Sequence, residues 1–124
     1  MGDTTREAVV AALRAIRCDA ACTEVTLHAQ AARALEDAGI AAQHEARLAP
    51  RCRIDFLAGT IGIEIKKSRP RSGALLIQLR RYAACEQVTE LVVMAPRGVN
   101  LPRTICGKRV TMLSLERLWG ISLP

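Results

Sequence analysis

The sequence predicts a single α/β domain in which helices flank a mixed β-sheet. Apolar residues recur at helical spacing in three stretches. Residues that alternate between an apolar and a polar face at 52–67 indicate a hairpin, and TELVVMAP is an apolar run typical of a strand buried on both faces. The chain of 124 residues can bury one core of ordinary size. We therefore expect one domain over residues 1–124, in the order α-α-β-β-β-α-β-β-α.

Each predicted element has a local signal. Thr4 and Glu7 stand at capping-box spacing at the start of the first helix, and Gly39 is placed to end the second. A short mixed stretch before Pro50 predicts an edge strand. Because a helix links the strands at 61–67 and 89–95, those two strands should be parallel. The predicted helices cover 4–17, 24–38, 73–85 and 114–119, the last capped by Ser114; the strands cover 43–48, 52–58, 61–67, 89–95 and 108–113, with a loop at 97–107.

Composition points to a polyanionic partner. Eighteen Lys and Arg against twelve Asp and Glu give a net charge of +6, and many of the basic residues fall within 47–81. Three aromatic residues are too few for single-strand binding by rows of stacked bases. The chain has no run of eighteen apolar residues and no signal-peptide pattern at its start, so we expect a cytoplasmic protein.

Five cysteines at 18, 22, 52, 85 and 106 form no Cys-x-x-Cys pair. Structural zinc is therefore not expected, and the pattern favours free thiols, with a disulfide as the minor alternative.

A turn at Gly59-Thr60 would set the cross-strand pairs of the hairpin. With glycine first, as a type II′ turn prefers, Asp55 stands directly opposite Glu64, and Lys66 points to the same side. The other face would be entirely apolar. The polar face comprises Arg53, Asp55, Leu57, Gly62, Glu64 and Lys66; the apolar face comprises Ile54, Phe56, Ala58, Ile61, Ile63 and Ile65.

Two carboxylates placed opposite each other repel, so the pair needs compensation. A divalent cation such as Mg²⁺ would supply it and would share its remaining coordination positions with phosphate oxygens. The ammonium of Lys66 could then hold the attacking water. The alternative is a solvated hairpin face on which Asp55 and Glu64 pair only with Arg53 and Lys66.

These residues resemble the PD-(D/E)xK nuclease superfamily, whose motif is an acid on one strand and acid-x-lysine on the next. RIDFL supplies Asp55, and IEIKK supplies Glu64 and Lys66. The resemblance covers about residues 23–95. Upstream, Glu24 occupies the place of a recurrent helix glutamate. Downstream, QLRRY matches the Gln-x-x-x-Tyr motif of the branch resembling recombination-associated and phage exonucleases, through Gln78 and Tyr82.

The match departs from the superfamily at two points. Ile54 stands where proline usually precedes the first acid, and the clustered cysteines of iron–sulfur relatives are absent, so no cluster is expected.

The resemblance implies a restriction-endonuclease-like core and hydrolysis of DNA phosphodiesters with Mg²⁺, for which Mn²⁺ could substitute. The helix at 4–17 and the strand and helix at 108–119 lie outside it. The implied roles are metal binding by Asp55, Glu64 and the carbonyl of Ile65, and orientation of the hydrolytic water by Lys66. Glu24 would assist through water or a second metal, and Gln78 and Tyr82 would position the substrate.

Basic residues surround the motif and predict phosphate contacts with steep salt dependence. Those assigned to DNA are Arg53, Arg69, Arg71 and Arg81. His28, one turn after Glu24, is interpreted as a structural histidine near the site, and His44 as a strand or surface residue.

We therefore expect a metal-dependent deoxyribonuclease. Two alternative hypotheses for the function are a catalytically inactive nucleic-acid-binding subunit and a protein-interaction module of the immunity or antitoxin kind on the same fold. One small site needs two copies or two encounters to cut a duplex, which leaves a homodimer and a protein partner open.

Overall fold

The computed structural model describes residues 4–17, 21–71 and 73–118, which form four helices and six strands. The predicted order is confirmed except for one short strand. The helices are α1 (Arg6–Arg14), α2 (Glu24–Asp37), α3 (Ala74–Ala83) and α4 (Leu115–Leu118). The strands are β1 (Ala42–Ala49), β2 (Cys52–Ala58), β3 (Ile61–Ile65), β4 (Glu90–Ala95), β5 (Thr104–Ile105) and β6 (Lys108–Ser114).

The strands form one open sheet in the order β1-β2-β3-β4-β6-β5. Strand β2 is antiparallel to both of its neighbours, whereas β3, β4 and β6 run parallel. The predicted mixed sheet is therefore confirmed, and so are the parallel pairing across the β-α-β unit and the edge position of β1. Helix α3 makes the crossover from β3 to β4.

Helices cover both faces of the sheet. Helices α1, α2 and α4 pack on one face, and α3 packs on the other. The central strands β3 and β4 are buried almost throughout, as the apolar run of β4 predicted. The first core includes Val9, Leu13, Leu27, Leu35, Phe56, Ile63 and Leu115. The second includes Ile54, Leu75, Leu79, Tyr82, Leu91 and Val93.

Threonines cap the two N-terminal helices. Thr5, not the predicted Thr4, begins α1, because its backbone is extended and its hydroxyl accepts a hydrogen bond from the Ala8 amide at 3.1 Å. Thr23 caps α2 in the same way through the Thr26 amide at 3.0 Å. Gly39 follows the end of α2 with a φ of 76°, as predicted for a left-handed helix stop.

Left-handed residues make tight turns between strands of the sheet. Gly59 has a φ of 63° and turns β2 into β3, as predicted. Cys106 and Gly107 have φ values of 53° and 76°, the combination that a type I′ hairpin turn requires. Their turn pairs β5 with β6, so the prediction of an unbroken loop at 97–107 is wrong. A cysteine at the first position of such a turn is not a recognised hairpin signal, so β5 was not predicted from the sequence.

The hairpin of β2 and β3 opens before its end. The pairs Ala58↔Ile61, Leu57↔Gly62 and Phe56↔Ile63 follow the predicted register, but the ladder stops there. Strand β3 stays with β4, since the Lys66 amide donates to the Met94 carbonyl at 2.8 Å. The predicted backbone pairing of positions 53–55 with 64–66 is therefore wrong. We call these two diverging segments, 53–55 and 64–66, the fork.

Side-chain alternation also breaks at the fork. Ile54 was expected to share a face with Phe56, but it belongs to the core beneath α3, whereas Phe56 lies beneath α2. On the neighbouring strand, Glu45 adopts a φ of 54° between the pairs His44↔Phe56 and Ala46↔Ile54. A left-handed residue of this kind reorients the strand locally, as a β-bulge does.

The expectation of free thiols holds in part. Cys52, Cys85 and Cys106 are free, but Cys22 is disulfide-bonded, so the expectation is wrong for Cys22. In the described ranges, no helix is long and apolar enough to cross a membrane. The end of the predicted last helix, at Trp119, lies outside the described residues.

Candidate active site

The fork brings Asp55 and Glu64 together through hydrogen bonds between side chain and backbone. The Ile65 amide donates to Oδ2 of Asp55 at 2.8 Å, and the Asp55 amide donates to Oε1 of Glu64 at 3.4 Å. Each carboxyl group thus occupies the space where a ladder bond of the hairpin would run. The predicted meeting of the two acids is confirmed, by side chains inserted between the strands and not by a regular cross-strand pair.

Glu64 is the one charged residue that is fully buried in the described part of the chain, with 2% of its surface exposed. Burial, and after it the negative charge of Asp55, raises the pKa of Glu64 to about 7. Burial also raises the pKa of Asp55, although the Ile65 amide and the charges of His28 and Lys66 oppose the shift. The site therefore holds two carboxyl groups whose negative charge the protein compensates incompletely.

Lys66 supplies the nearest cation. Its Nζ lies 3.1 Å from Oε2 of Glu64, and 28% of the lysine side chain is exposed against 3% of the glutamate. The ammonium therefore joins the buried carboxyl to the solvent-facing side of the fork. Lys66 and Glu64 are therefore neighbours, as their predicted position on one side of the hairpin required.

Tyr82 supports the fork from α3. It is 2% exposed, and its hydroxyl donates to the Arg53 carbonyl at 3.0 Å. Burial, followed by the charges of Glu64 and Asp55, raises the pKa of the Tyr82 hydroxyl well above its usual range. The neutral hydroxyl thus attaches α3 to the backbone of β2 beside the point where the hairpin opens.

His28 lies where three oxygen atoms from separate elements converge. Its Nε2 is 3.3 Å from Oε2 of Glu24, 3.7 Å from Oδ2 of Asp55 and 3.4 Å from the Ile65 carbonyl. Glu24 also accepts a hydrogen bond from the Lys67 amide at 3.2 Å. The first turns of α2 are therefore attached to the end of β3 by both residues, and Glu24 lies beside the predicted site.

The spacing in the sequence was a usable signal for His28. Residues four apart share a helix face, so placing Glu24 at the site places His28 there as well. Its interpretation as a structural histidine understated this contact. His44 stacks on Phe56 with ring centroids 4.6 Å apart, which agrees with its interpretation as a strand residue.

The other predicted substrate residues are spread around the fork. Gln78 is half-buried on α3, one turn before Tyr82. Arg53 is exposed and lies 3.5 Å from Glu45, and Arg81 is exposed on α3. Arg69 and Arg71 both line a groove beside the loop that follows β4.

The oxygen donors for a cation are the carboxylates of Asp55 and Glu64 together with the carbonyl of Ile65. Mg²⁺ characteristically takes one or two carboxylates from a protein and fills its other positions with water and phosphate oxygens. The carboxyl group of Glu64 is buried and its pKa is raised, so a bound cation would favour the ionised form of this group. The residue therefore fits such an ion. Across the described residues, His, Cys, Asp and Glu side chains form no group of three or more that could hold a metal ion.

The chain was compared with models of protein families, with curated proteins and with solved structures, and none of them matches it.

Proposed function

We propose that this protein is a metal-dependent nuclease with a restriction-endonuclease-like core, which hydrolyses DNA phosphodiester bonds. The observation that carries the proposal is the fork. A hairpin opens at one end, and Asp55 and Glu64 enter the opening with Lys66 at 3.1 Å from the buried acid. A purely structural hairpin would gain stability from apolar residues at these positions.

The fork residues suit the roles that the reaction needs. Asp55, Glu64 and the Ile65 carbonyl would hold Mg²⁺, which supplies positive charge to the phosphate oxygens and to the attacking water. Lys66 reaches both the acids and solvent, so it can orient that water by a hydrogen bond from Nζ. His28 lies beside Asp55, and Glu24 contacts His28 and accepts a hydrogen bond from the Lys67 amide just after β3.

Tyr82 acts in this proposal as a positioning residue. Its buried hydroxyl donates to the Arg53 carbonyl, which attaches α3 to β2 at the fork. Gln78 lies one turn earlier on the same helix face, in a half-buried position that solvent reaches. It therefore remains the better candidate of the two for touching substrate.

Charge supports a nucleic acid as substrate. The net charge is +6, and the exposed Arg53, Arg69, Arg71 and Arg81 all lie on β2, on α3 or on the segment between β3 and α3. Guanidinium groups bind phosphates through paired hydrogen bonds, independently of sequence.

The first experiment is cleavage of plasmid, linear duplex, single-stranded and junction DNA with Mg²⁺, Mn²⁺ or EDTA. We compare wild type with Glu64→Gln and Lys66→Met, which keep side-chain volume, and with Glu86→Gln, an exposed acid in the segment after α3. We expect metal-dependent cutting by wild type and Glu86→Gln, and a loss of at least about 100-fold in both fork variants.

The contrary result is equally clear. Cleavage that survives in Glu64→Gln and in Asp55→Ala would contradict the proposal, because both acids that hold the ion would be lost without effect. Folded protein that binds DNA but cuts none of these substrates would favour the inactive binding subunit. A tight protein partner and no DNA binding would favour the interaction module.

A further inference from the structure

A groove beside the fork combines cationic and apolar walls. It has a volume of about 470 Å³ and is lined by residues 69–71 and Gly73, by the start of α3 and by the loop 98–101. Arg69 and Arg71 supply positive charge, and no acidic residue of the described chain lines it. Its apolar walls are Pro70, Leu75, Leu76, Val99 and Leu101, and Asn100 adds an amide.

One wall of the groove is fixed by a close approach of side chain to backbone. Nη2 of Arg69 donates to the Arg97 carbonyl at 3.0 Å. At Gly98, which has a φ of 93°, an added Cβ would collide with that same Nη2. Any other residue here would strain the backbone and would displace the guanidinium group from this position.

The loop that holds Arg69 is itself anchored. The Arg97 amide donates to Oε1 of Glu116 at 2.6 Å, and the Ser114 hydroxyl donates to the same oxygen at 3.0 Å. Burial opposes ionisation of Glu116, but these hydrogen bonds outweigh it and lower the pKa of its carboxyl. The guanidinium of Arg69 is therefore preorganised by a chain of contacts that reaches α4.

The groove lies next to the proposed catalytic groups. It opens where the parallel strands β3 and β4 end, the side of an α/β sheet on which ligands characteristically bind. Two residues lie between Lys66 and Arg69, so their α-carbons lie within about 11 Å of each other. A ligand in the groove would therefore be a near neighbour of a phosphate bound at the fork.

We propose that the groove between Arg69, Arg71 and Leu101 binds one unpaired nucleotide adjacent to the phosphodiester that the fork cleaves. The inference rests on the proposed nuclease function and names its substrate class. A nucleotide has the matching chemistry, since its phosphate suits the two guanidinium groups and its base suits the apolar walls. A base in a duplex is stacked and paired, so it cannot enter a concave groove unless it is extruded. The substrate is therefore single-stranded DNA or a strand with unpaired nucleotides.

The test measures binding in EDTA, where no cleavage occurs. A short labelled single strand and the blunt duplex of the same sequence are titrated with wild type, with Arg69→Gln/Arg71→Gln and with Leu76→Trp, which fills the groove without changing charge. The matched controls are Arg14→Gln/Arg33→Gln, two exposed arginines of α1 and α2, and Ile77→Trp, an exposed neighbour on α3 that does not line the groove.

We expect wild type and both controls to bind the single strand more tightly than the duplex. Each groove variant should lose about tenfold in single-strand affinity, with a smaller loss for the duplex. Circular dichroism and urea unfolding confirm that each variant is folded. Unchanged preference in Leu76→Trp and in the double arginine variant, or a wild-type protein that prefers the blunt duplex, would overturn the inference.

The two proposals fail separately. Groove-dependent binding of single strands without any metal-dependent cleavage would refute the nuclease and leave the nucleotide groove standing as the site of a binding protein. Cleavage by a protein whose groove variants bind every probe like wild type would refute the groove and leave the nuclease standing.

Discussion

Replacing Glu64 by glutamine should stabilise the metal-free protein at neutral pH. An unfolded glutamate titrates near 4.5, whereas burial and the Asp55 charge raise the pKa of Glu64 to about 7 in the fold. The folded state therefore binds more protons between these two values, and the stability of the wild type must fall as the pH rises through that window. Above pH 7 the loss is complete.

The magnitude follows from the size of the shift. Each pKa unit corresponds to about 1.4 kcal/mol, so a rise from 4.5 to about 7 costs the ionised protein about 3 kcal/mol. That is a large share of the roughly 5–15 kcal/mol that stabilises a typical domain. Glutamine keeps the volume of the side chain and cannot ionise. It gives up the contact with Lys66, but that ammonium is partly exposed and can be solvated.

The assay is urea unfolding in EDTA from pH 5 to pH 8. We expect the wild type to lose up to about 3 kcal/mol across this range and Glu64→Gln to lose much less, so that the variant is the more stable protein at pH 8. Glu86→Gln, at an exposed position, should stay within about 0.5 kcal/mol of wild type. A Glu64→Gln protein less stable than wild type at pH 8, or a wild type equally stable at both ends of the range, would refute the reasoning.

Three further substitutions test the packing that builds the site. Tyr82→Phe removes the buried hydrogen bond to the Arg53 carbonyl and should cost about 1 kcal/mol in urea unfolding, the usual net contribution of such a bond. No loss would show that water replaces the hydroxyl. Gly62→Ala places a methyl group 2.6 Å from Cδ1 of Ile54 and should lower the free energy of unfolding by about 1–3 kcal/mol in the same assay. An unchanged free energy would mean that Ile54 repacks freely. Thr23→Ala removes the cap of α2 and should lower the free energy of unfolding by about 1 kcal/mol, whereas Thr23→Ser keeps the hydroxyl and should be as stable as wild type. Equal stability of the wild type and both variants would show that the cap contributes nothing.

The sequence predicted the sheet well because its signals are local. Apolar alternation and a left-handed glycine at position 59 are sufficient to place β2 beside β3, and a helix of ten residues between two strands requires them to be parallel. Helix ends were less accurate, because Thr4 and Thr5 offer the same hydroxyl and only the backbone conformation selects between them.

The details of the site could not be predicted in the same way. The hairpin opens beside Glu45, a residue of another strand whose positive φ no local pattern predicts. The pKa of Glu64 depends on burial beneath α3, which is a property of the assembled layers. The helix period predicts that His28 lies on the same face of α2 as Glu24. Its contact with the Ile65 carbonyl, however, is a consequence of how α2 packs on β3.

The two edge strands of the sheet affect whether copies of this protein can aggregate at high concentration. An exposed edge strand normally invites another chain to extend the sheet. Here β1 is interrupted by the left-handed Glu45 and by a register shift between Arg47 and Ala49, while β5, at the opposite edge, is two residues long. Neither edge offers a straight template of free backbone groups. We therefore expect the protein to resist strand-mediated aggregation, and any dimer to associate through helices or loops.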